Sequence, residues 1–137
     1  MSERFDAIVV GAGQAGPPLA GRLTAAGMTV AVIERKLVGG TCVNYGCIPT
    51  KTLVASAHAA HLARRGADFG VHTGPVSIDM AKVKARKDAI VHDDRHGVED
   101  WIANMPGATL LRGHARFVGP KTLSVDGRLI AADRIFL

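Results

Sequence analysis

The residues best equipped for chemistry are Cys42 and Cys47, the only two cysteines in the chain of 137 residues. They bracket Val43-Asn44-Tyr45-Gly46, five positions apart. Two thiols that meet can exchange with a disulfide, and the thiolate is the attacking form. In a regular helix their Cα atoms would stand about 8 Å apart by rise, whereas a disulfide needs about 4.4–6.8 Å. The pair can close only on a bent segment, and Gly46 and Pro49 allow a bend. A helix beginning here would hold Cys47 in its first turns, where the dipole favours a thiolate. Lys51, one turn on, adds a cation on the same side. The same two residues also suit buried free cysteines or half a zinc site, but zinc lacks a second close pair of ligands.

Gly11-Ala12-Gly13-Gln14-Ala15-Gly16 is the second constellation. It fits a phosphate-binding turn only if a strand precedes it and a helix follows. The first glycine then permits the tight turn, the second lets the backbone approach a pyrophosphate, and the third lets helix and strand pack closely. Glu34 lies 18 residues after Gly16, where a carboxylate can accept both hydroxyls of a ribose. Its bland alternative is a solvated strand end. His92 and His96 stand at i and i+4, but no third ligand accompanies them. A solvated helix face is expected there, as for His58 and His61, and no metal site is assigned.

The elements that must position these residues follow from hydrophobic pattern. Residues 5–10 read as a strand buried on both faces, 14–26 as a helix stopped by Gly27, and 29–33 as a second strand parallel to the first. Pro17 and Pro18 fit poorly, tolerable only in the first helical turn. Residues 37–49 read as irregular. A helix carries Leu53, Val54, Ala57, His61 and Leu62, followed by a loop over 66–77. Asp79 caps a long helix whose stripe runs from Met80 to Trp101 and Ile102, with Gly97 as a bend. From about Thr109 an antiparallel meander is expected, turning at Asp126-Gly127, and a last strand begins at 135–137.

Composition narrows the function classes. One domain is expected, and two cysteines exclude a secreted disulfide framework. The net charge of +5 comes from scattered residues without a dense basic run or many aromatic side chains, so nucleic acid is not an expected partner. The uncharged stretch Ala7–Gly21 is too short to span a membrane and is broken by glycine and proline. A cytoplasmic protein is expected.

Taken together, Gly11-Ala12-Gly13-Gln14-Ala15-Gly16, Glu34 and Gly39-Gly40-Thr41-Cys42-Val43-Asn44-Tyr45-Gly46-Cys47-Ile48-Pro49-Thr50-Lys51 resemble the N-terminal part of the pyridine nucleotide-disulfide oxidoreductases, with wording nearest the mercuric reductase-like and dihydrolipoamide dehydrogenase-like flavoproteins. The resemblance implies an α/β, Rossmann-like FAD-binding domain: a parallel sheet with helices and a small antiparallel meander. Residues 1–137 would be its truncated N-terminal portion, the NAD(P)-binding and dimerisation domains lying outside it. It implies that Cys42 attacks substrate and Cys47 contacts the flavin, with Cys42 alkylating first once reduced. FAD would be held by Gly11, Ala12, Gly13, Gln14, Ala15, Gly16, Glu34, Arg35, Gly40, Thr41, Lys51, His114 and Ala115. The parent would be a homodimer moving electrons between NAD(P)H and a thiol, disulfide or metal-ion substrate. Tyr45, where many members carry a small aliphatic residue, leaves the substrate subclass open. The alternative is a stand-alone nucleotide-binding module without catalysis, which gives Cys42 and Cys47 no role.

Overall fold

The computed structural model describes residues 2–137. Strand β1 (Glu3–Val10) leads through the glycine turn into helix α1 (Gly16–Ala25) and strand β2 (Val30–Glu34). Two helices, α2 (Gly40–Asn44) and α3 (Cys47–Arg64), come next, then a 3-10 turn (Gly66–Phe69) and the long α4 (Met80–Ala103). Strands β3 (Ala108–Arg112), β4 (Ala115–Gly119), β5 (Thr122–Val125) and β6 (Arg128–Phe136) complete the chain.

The six strands form one sheet in the order β3-β2-β1-β6-β5-β4. β1 pairs in parallel with β2 on one side and β6 on the other, and β2 pairs in parallel with β3. The order therefore grows outward from β1 to β3, then jumps back across β1 to β6. That reversal makes the carboxyl end of β1 a topological switch point, the place where open α/β sheets bind ligands. β1 and β2 are apolar because both their faces are covered. Ala7, Val9, Val30 and Val32 pack with Ala20 of α1 and Ile102 of α4. Ile8, Ala31 and Ile33 pack on the other face with Leu123 and Val125 of β5 and Ile130 of β6. Each large aliphatic side chain buried this way contributes about 1.5–3 kcal/mol.

Three expectations need correction. The run at 109–111 is not the first strand of the meander: β3 pairs with β2 in parallel, Ala31 opposite Thr109 and Ile33 opposite Leu111. A chain returning along a helix from β2 re-enters the sheet by a crossover, which imposes parallel pairing. The meander is β4-β5-β6, turning at Asp126 (φ 48°) and Gly127 (φ 92°), both in the left-handed region a two-residue hairpin requires. Nor is 135–137 a new strand, because β6 runs unbroken from Arg128 to Phe136. Its first residues pair antiparallel with β5, and Ile130 onward pairs in parallel with β1.

The helical hairpin behaves differently from the sheet. Asp79 caps α4 as expected, its carboxylate accepting from Lys82 N–H at 3.0 Å. Yet Met80 and Trp101, read as core, are 63% and 48% exposed. Val91 and Ile102 are the buried residues of α4, and Thr52 that of α3. The two helices pack mainly on each other. No described helix is long and apolar enough to cross a membrane.

Candidate functional site

The glycine turn lies at the switch point. Gly11 adopts φ +108° and its N–H donates to Ile33 O at 2.7 Å, tying the end of β1 to β2. A Cβ on Gly16 would overlap the Gly11 carbonyl, so α1 can start this close to the turn only with glycine there. Pro17 and Pro18 fall in the first turn of α1, where the missing N–H groups have no intrahelical partner to lose. The proline misfit is thereby resolved.

Glu34 does more than end a strand. Its Oε2 accepts from Ala12 N–H at 2.9 Å, and its Oε1 accepts from Lys36 N–H at 2.8 Å. The carboxylate thus holds the glycine turn in shape, and each oxygen keeps lone-pair capacity for a further donor. Beside it a cleft of about 330 Å³ is lined by Val10, Gly11, Glu34, Arg35, His114 and Ala115. The structure brings these distant segments together because β3 delivers Gly113 to Glu34, with Gly113 N–H donating to Glu34 O at 3.0 Å. A second cleft, about 250 Å³, lies across the turn and is lined by Gly13, Gln14, Ala15 and Gly16 with Phe136 and Leu137. A cleft carrying a carboxylate, and another at a helix N-terminus, flank one glycine turn. That arrangement fits the two ends of a dinucleotide.

The turn is joined to the cysteine segment by backbone contact. Ala12 O accepts from Gly39 N–H at 2.7 Å, and Gln14 Nε2 donates to Gly39 O at 3.4 Å. Gly40 (φ +61°) lies so near Gly13 that an added Cβ would come within 2.8 Å of the Gly13 Cα. Residues 37–49, expected to be irregular, instead hold α2 and the start of α3. The helix breaks at Tyr45-Gly46, and Gly46 packs on the Thr41 carbonyl and the Cys42 backbone. This fold-back brings Cys47, the first residue of α3, to Cys42.

The Cys42 thiol donates toward the Cys47 sulfur, which pushes its pKa above the ordinary thiol value. Desolvation and the prospective charge on Cys47 act in the same direction, while a Cys47 backbone contact and Lys51 pull weakly the other way. Cys42 is half-buried and Cys47 exposed. Cys42 thus holds its proton more tightly than an ordinary thiol, and Cys47 is the more exposed of the two sulfurs. Thr41 and Lys51 are exposed on the same rim, and Tyr45 is 71% exposed between the cysteines.

Asn44 was not singled out by sequence reasoning, and it holds this site together. It is buried, its Nδ2 donates to Val38 O and Gly40 O at 2.9 Å each, and its Oδ1 accepts from Arg95 Nε at 2.7 Å. Arg86, also on α4, donates to Thr52 O at 3.2 Å. The available signal was a polar residue beside Val43 inside the cysteine pair; nothing in the sequence pointed to Arg95 as its partner.

These features define an α/β dinucleotide-type domain with a dithiol fixed to its glycine turn, and the comparisons agree. The family described as pyridine nucleotide-disulphide oxidoreductase matches residues 5–137, and the chain belongs to that family. It is 35% identical over 133 residues to a mercuric reductase of Bacillus cereus, covering 97% of this chain and 21% of the relative. It is 33% identical over 138 residues to a dihydrolipoyl dehydrogenase of Acholeplasma laidlawii, covering all of this chain and 41% of the relative. Among solved structures it is similar to the HOCl-induced flavoprotein disulfide reductase RclA from Escherichia coli in its Cu(II) complex. The TM-score there is 0.77 at 32% identity, over 98% of this chain and 28% of that one. The chain thus spans well under half the length of these relatives.

Proposed function

We propose that residues 1–137 form the N-terminal portion of a discontinuous FAD-binding domain, in an enzyme passing electrons between NAD(P)H and a thiol, disulfide or metal-ion substrate. The observation that carries this reading is the fold-back at Tyr45-Gly46, which sets Cys42 against Cys47 on a segment clamped to the glycine turn. A nucleotide-binding module alone gives no reason for that juxtaposition.

In this reading Gly11, Ala12, Gly13, Gln14, Ala15 and Gly16 present backbone to the pyrophosphate, and Glu34 accepts from the adenosine ribose. Arg35, His114 and Ala115 wall the adenine side, while Gly40, Thr41 and Lys51 line the path toward the dithiol. Bound FAD supplies the passage of two electrons between a nicotinamide and the Cys42–Cys47 pair. The chain's own step is exchange. With both cysteines reduced, the Cys42 sulfur attacks a substrate disulfide, forming a mixed disulfide and expelling one thiolate. Cys47 then attacks the Cys42 sulfur, closing the Cys42–Cys47 disulfide and releasing the second thiolate, so two electrons pass to the substrate. Cys42 gives up its proton on attack, and Cys47 is the near acceptor.

The parent enzyme is proposed to be a homodimer and cytoplasmic, and exposed Leu53, Val54 and Leu62 on α3 are apolar surface that further subunits or domains would cover. The acid–base that protonates departing thiolates and the nicotinamide site belong to the rest of such an enzyme. Residues 1–137 alone should therefore show no NAD(P)H-dependent disulfide reductase turnover. The test is mass mapping of folded protein after mild oxidation. A Cys42–Cys47 linkage is expected, and two free thiols would refute the redox reading.

A further inference from the structure

The nucleotide and thiol chemistry leaves one motif unused, the histidine pair on α4. His92 and His96 stand one turn apart with ring centroids 4.0 Å apart and planes tilted by 51°. Their remaining contacts fix which nitrogens are free. His96 Nδ1 lies 2.9 Å from His92 O, so in the donating tautomer its Nε2 carries a lone pair. Asp93 Oδ1 stands 3.6 Å from His92 Nδ1, too far for a hydrogen bond but near enough to favour a proton on that nitrogen and a lone pair on Nε2. A carbonyl or carboxylate on the inner nitrogen is the arrangement that orients histidines as metal ligands and raises their basicity.

The same molecule holds a pair without these features. His58 and His61 sit at i and i+3, with centroids 6.5 Å apart and near-parallel planes. Two imidazoles that share one ion must lie close together on one helix face, and the α4 rings lie closer together than the α3 rings. Among the described residues no cluster of three or more His, Cys, Asp or Glu side chains could hold a metal, so the remaining positions on the ion would be water or an outside ligand.

From this geometry we propose that His92 and His96, oriented by the His92 carbonyl and Asp93, form a two-histidine chelate for a borderline divalent transition-metal ion on the exposed face of α4. Imidazole nitrogens select Ni(II), Cu(II) and Zn(II) over Mg(II) and Ca(II). The test removes the thiols as competing ligands.

Zn(II) is titrated calorimetrically into the 137-residue chain carrying Cys42→Ser and Cys47→Ser, at neutral pH. One saturable site is expected. In that background His92→Ala or His96→Ala should each weaken binding at least about tenfold, and Asp93→Asn by less, since it only orients a ligand. His58→Ala and His61→Ala should leave binding unchanged. Alanine suits these exposed helical positions, so circular dichroism should be unaltered. Zn(II) should also move the Nε2 resonances of His92 and His96 in nitrogen-15 spectra. No saturable binding, or undiminished binding in the His96→Ala chain, would overturn the proposal, as would equal losses from the α3 and α4 variants.

Discussion

The sheet around β1 and β2 and the helical hairpin of α3 and α4 are held in opposite ways. The sheet region is fixed by burial and backbone: Ile8 and Val32 have no exposed surface, and the glycine turn is shaped by Gly11, Gly16 and the Glu34 carboxylate. The hairpin buries little and is tied down by a few polar side chains, chiefly Arg95 to Asn44 and Arg86 to the Thr52 carbonyl. The site lies at the seam. Nucleotide-type recognition rests on the sheet, while the dithiol spans the break between α2 and α3, clamped between the two regions. A binding frame can thus stay fixed while the reactive sulfurs remain accessible.

The largest effect that sharpens this contrast is core truncation. Ile8→Ala should cost about 2–5 kcal/mol in denaturant unfolding. Leu62→Ala, half exposed on α3, should stay within about 0.5 kcal/mol. Comparable losses would mean that the hairpin is as much a core as the sheet. Gly16→Ala comes next, forcing a Cβ into the Gly11 carbonyl. It should destabilise by about 1–3 kcal/mol and abolish whatever FAD binding the chain shows in a fluorescence titration.

Asn44→Ala removes the clamp. It removes the partner of Arg95 and of the Val38 carbonyl, at a cost of about 1–3 kcal/mol, and should slow Cys42–Cys47 disulfide formation measured by thiol quenching. An unchanged closure rate would show that Asn44 does not position the pair. The smallest effect is acid sensitivity at Asp6. Its carboxylate accepts from Thr29 N–H at 2.7 Å and from the Thr29 hydroxyl at 2.8 Å, and these bonds lower its pKa below the ordinary carboxylate value. A lowered folded-state pKa stabilises above the unfolded-state pKa and is lost as pH falls through the folded one. Asp6→Asn should therefore weaken the chain slightly at neutral pH and flatten that part of the acid-unfolding profile.

The sheet region is legible in the sequence because its signals are local. An apolar run, a glycine turn with its positive φ and a following helix lie within neighbouring residues, as does the Asp126-Gly127 hairpin. Where pairing partners lie far apart, the reading went astray. A five-residue strand at Ala108–Arg112 carries no mark of parallel or antiparallel pairing, which the crossover from β2 decides. A period-3.6 stripe reports amphipathicity but not whether the sheet reaches far enough to cover it, so Trp101 and Met80 were misplaced. Within the site, the residue types and the need for a bend at Gly46 were legible. The break into two helices, the seating of Gly40 on Gly13 and the bond between Asn44 and Arg95 were not, because each depends on a contact distant in sequence. The raised pKa of Cys42 comes first from its contact with Cys47, which exists only once the segment has folded back.

The central claim is that the glycine turn and the dithiol are parts of one flavin–disulfide site. Its most direct test is the absorption spectrum of FAD added in excess to the chain with Cys42 and Cys47 reduced, and again with them oxidised. The flavin bands should be perturbed by both forms, with an added long-wavelength absorbance in the reduced form that disappears in Cys47→Ser. A spectrum left unperturbed, or perturbed identically by reduced and oxidised protein, would contradict the account.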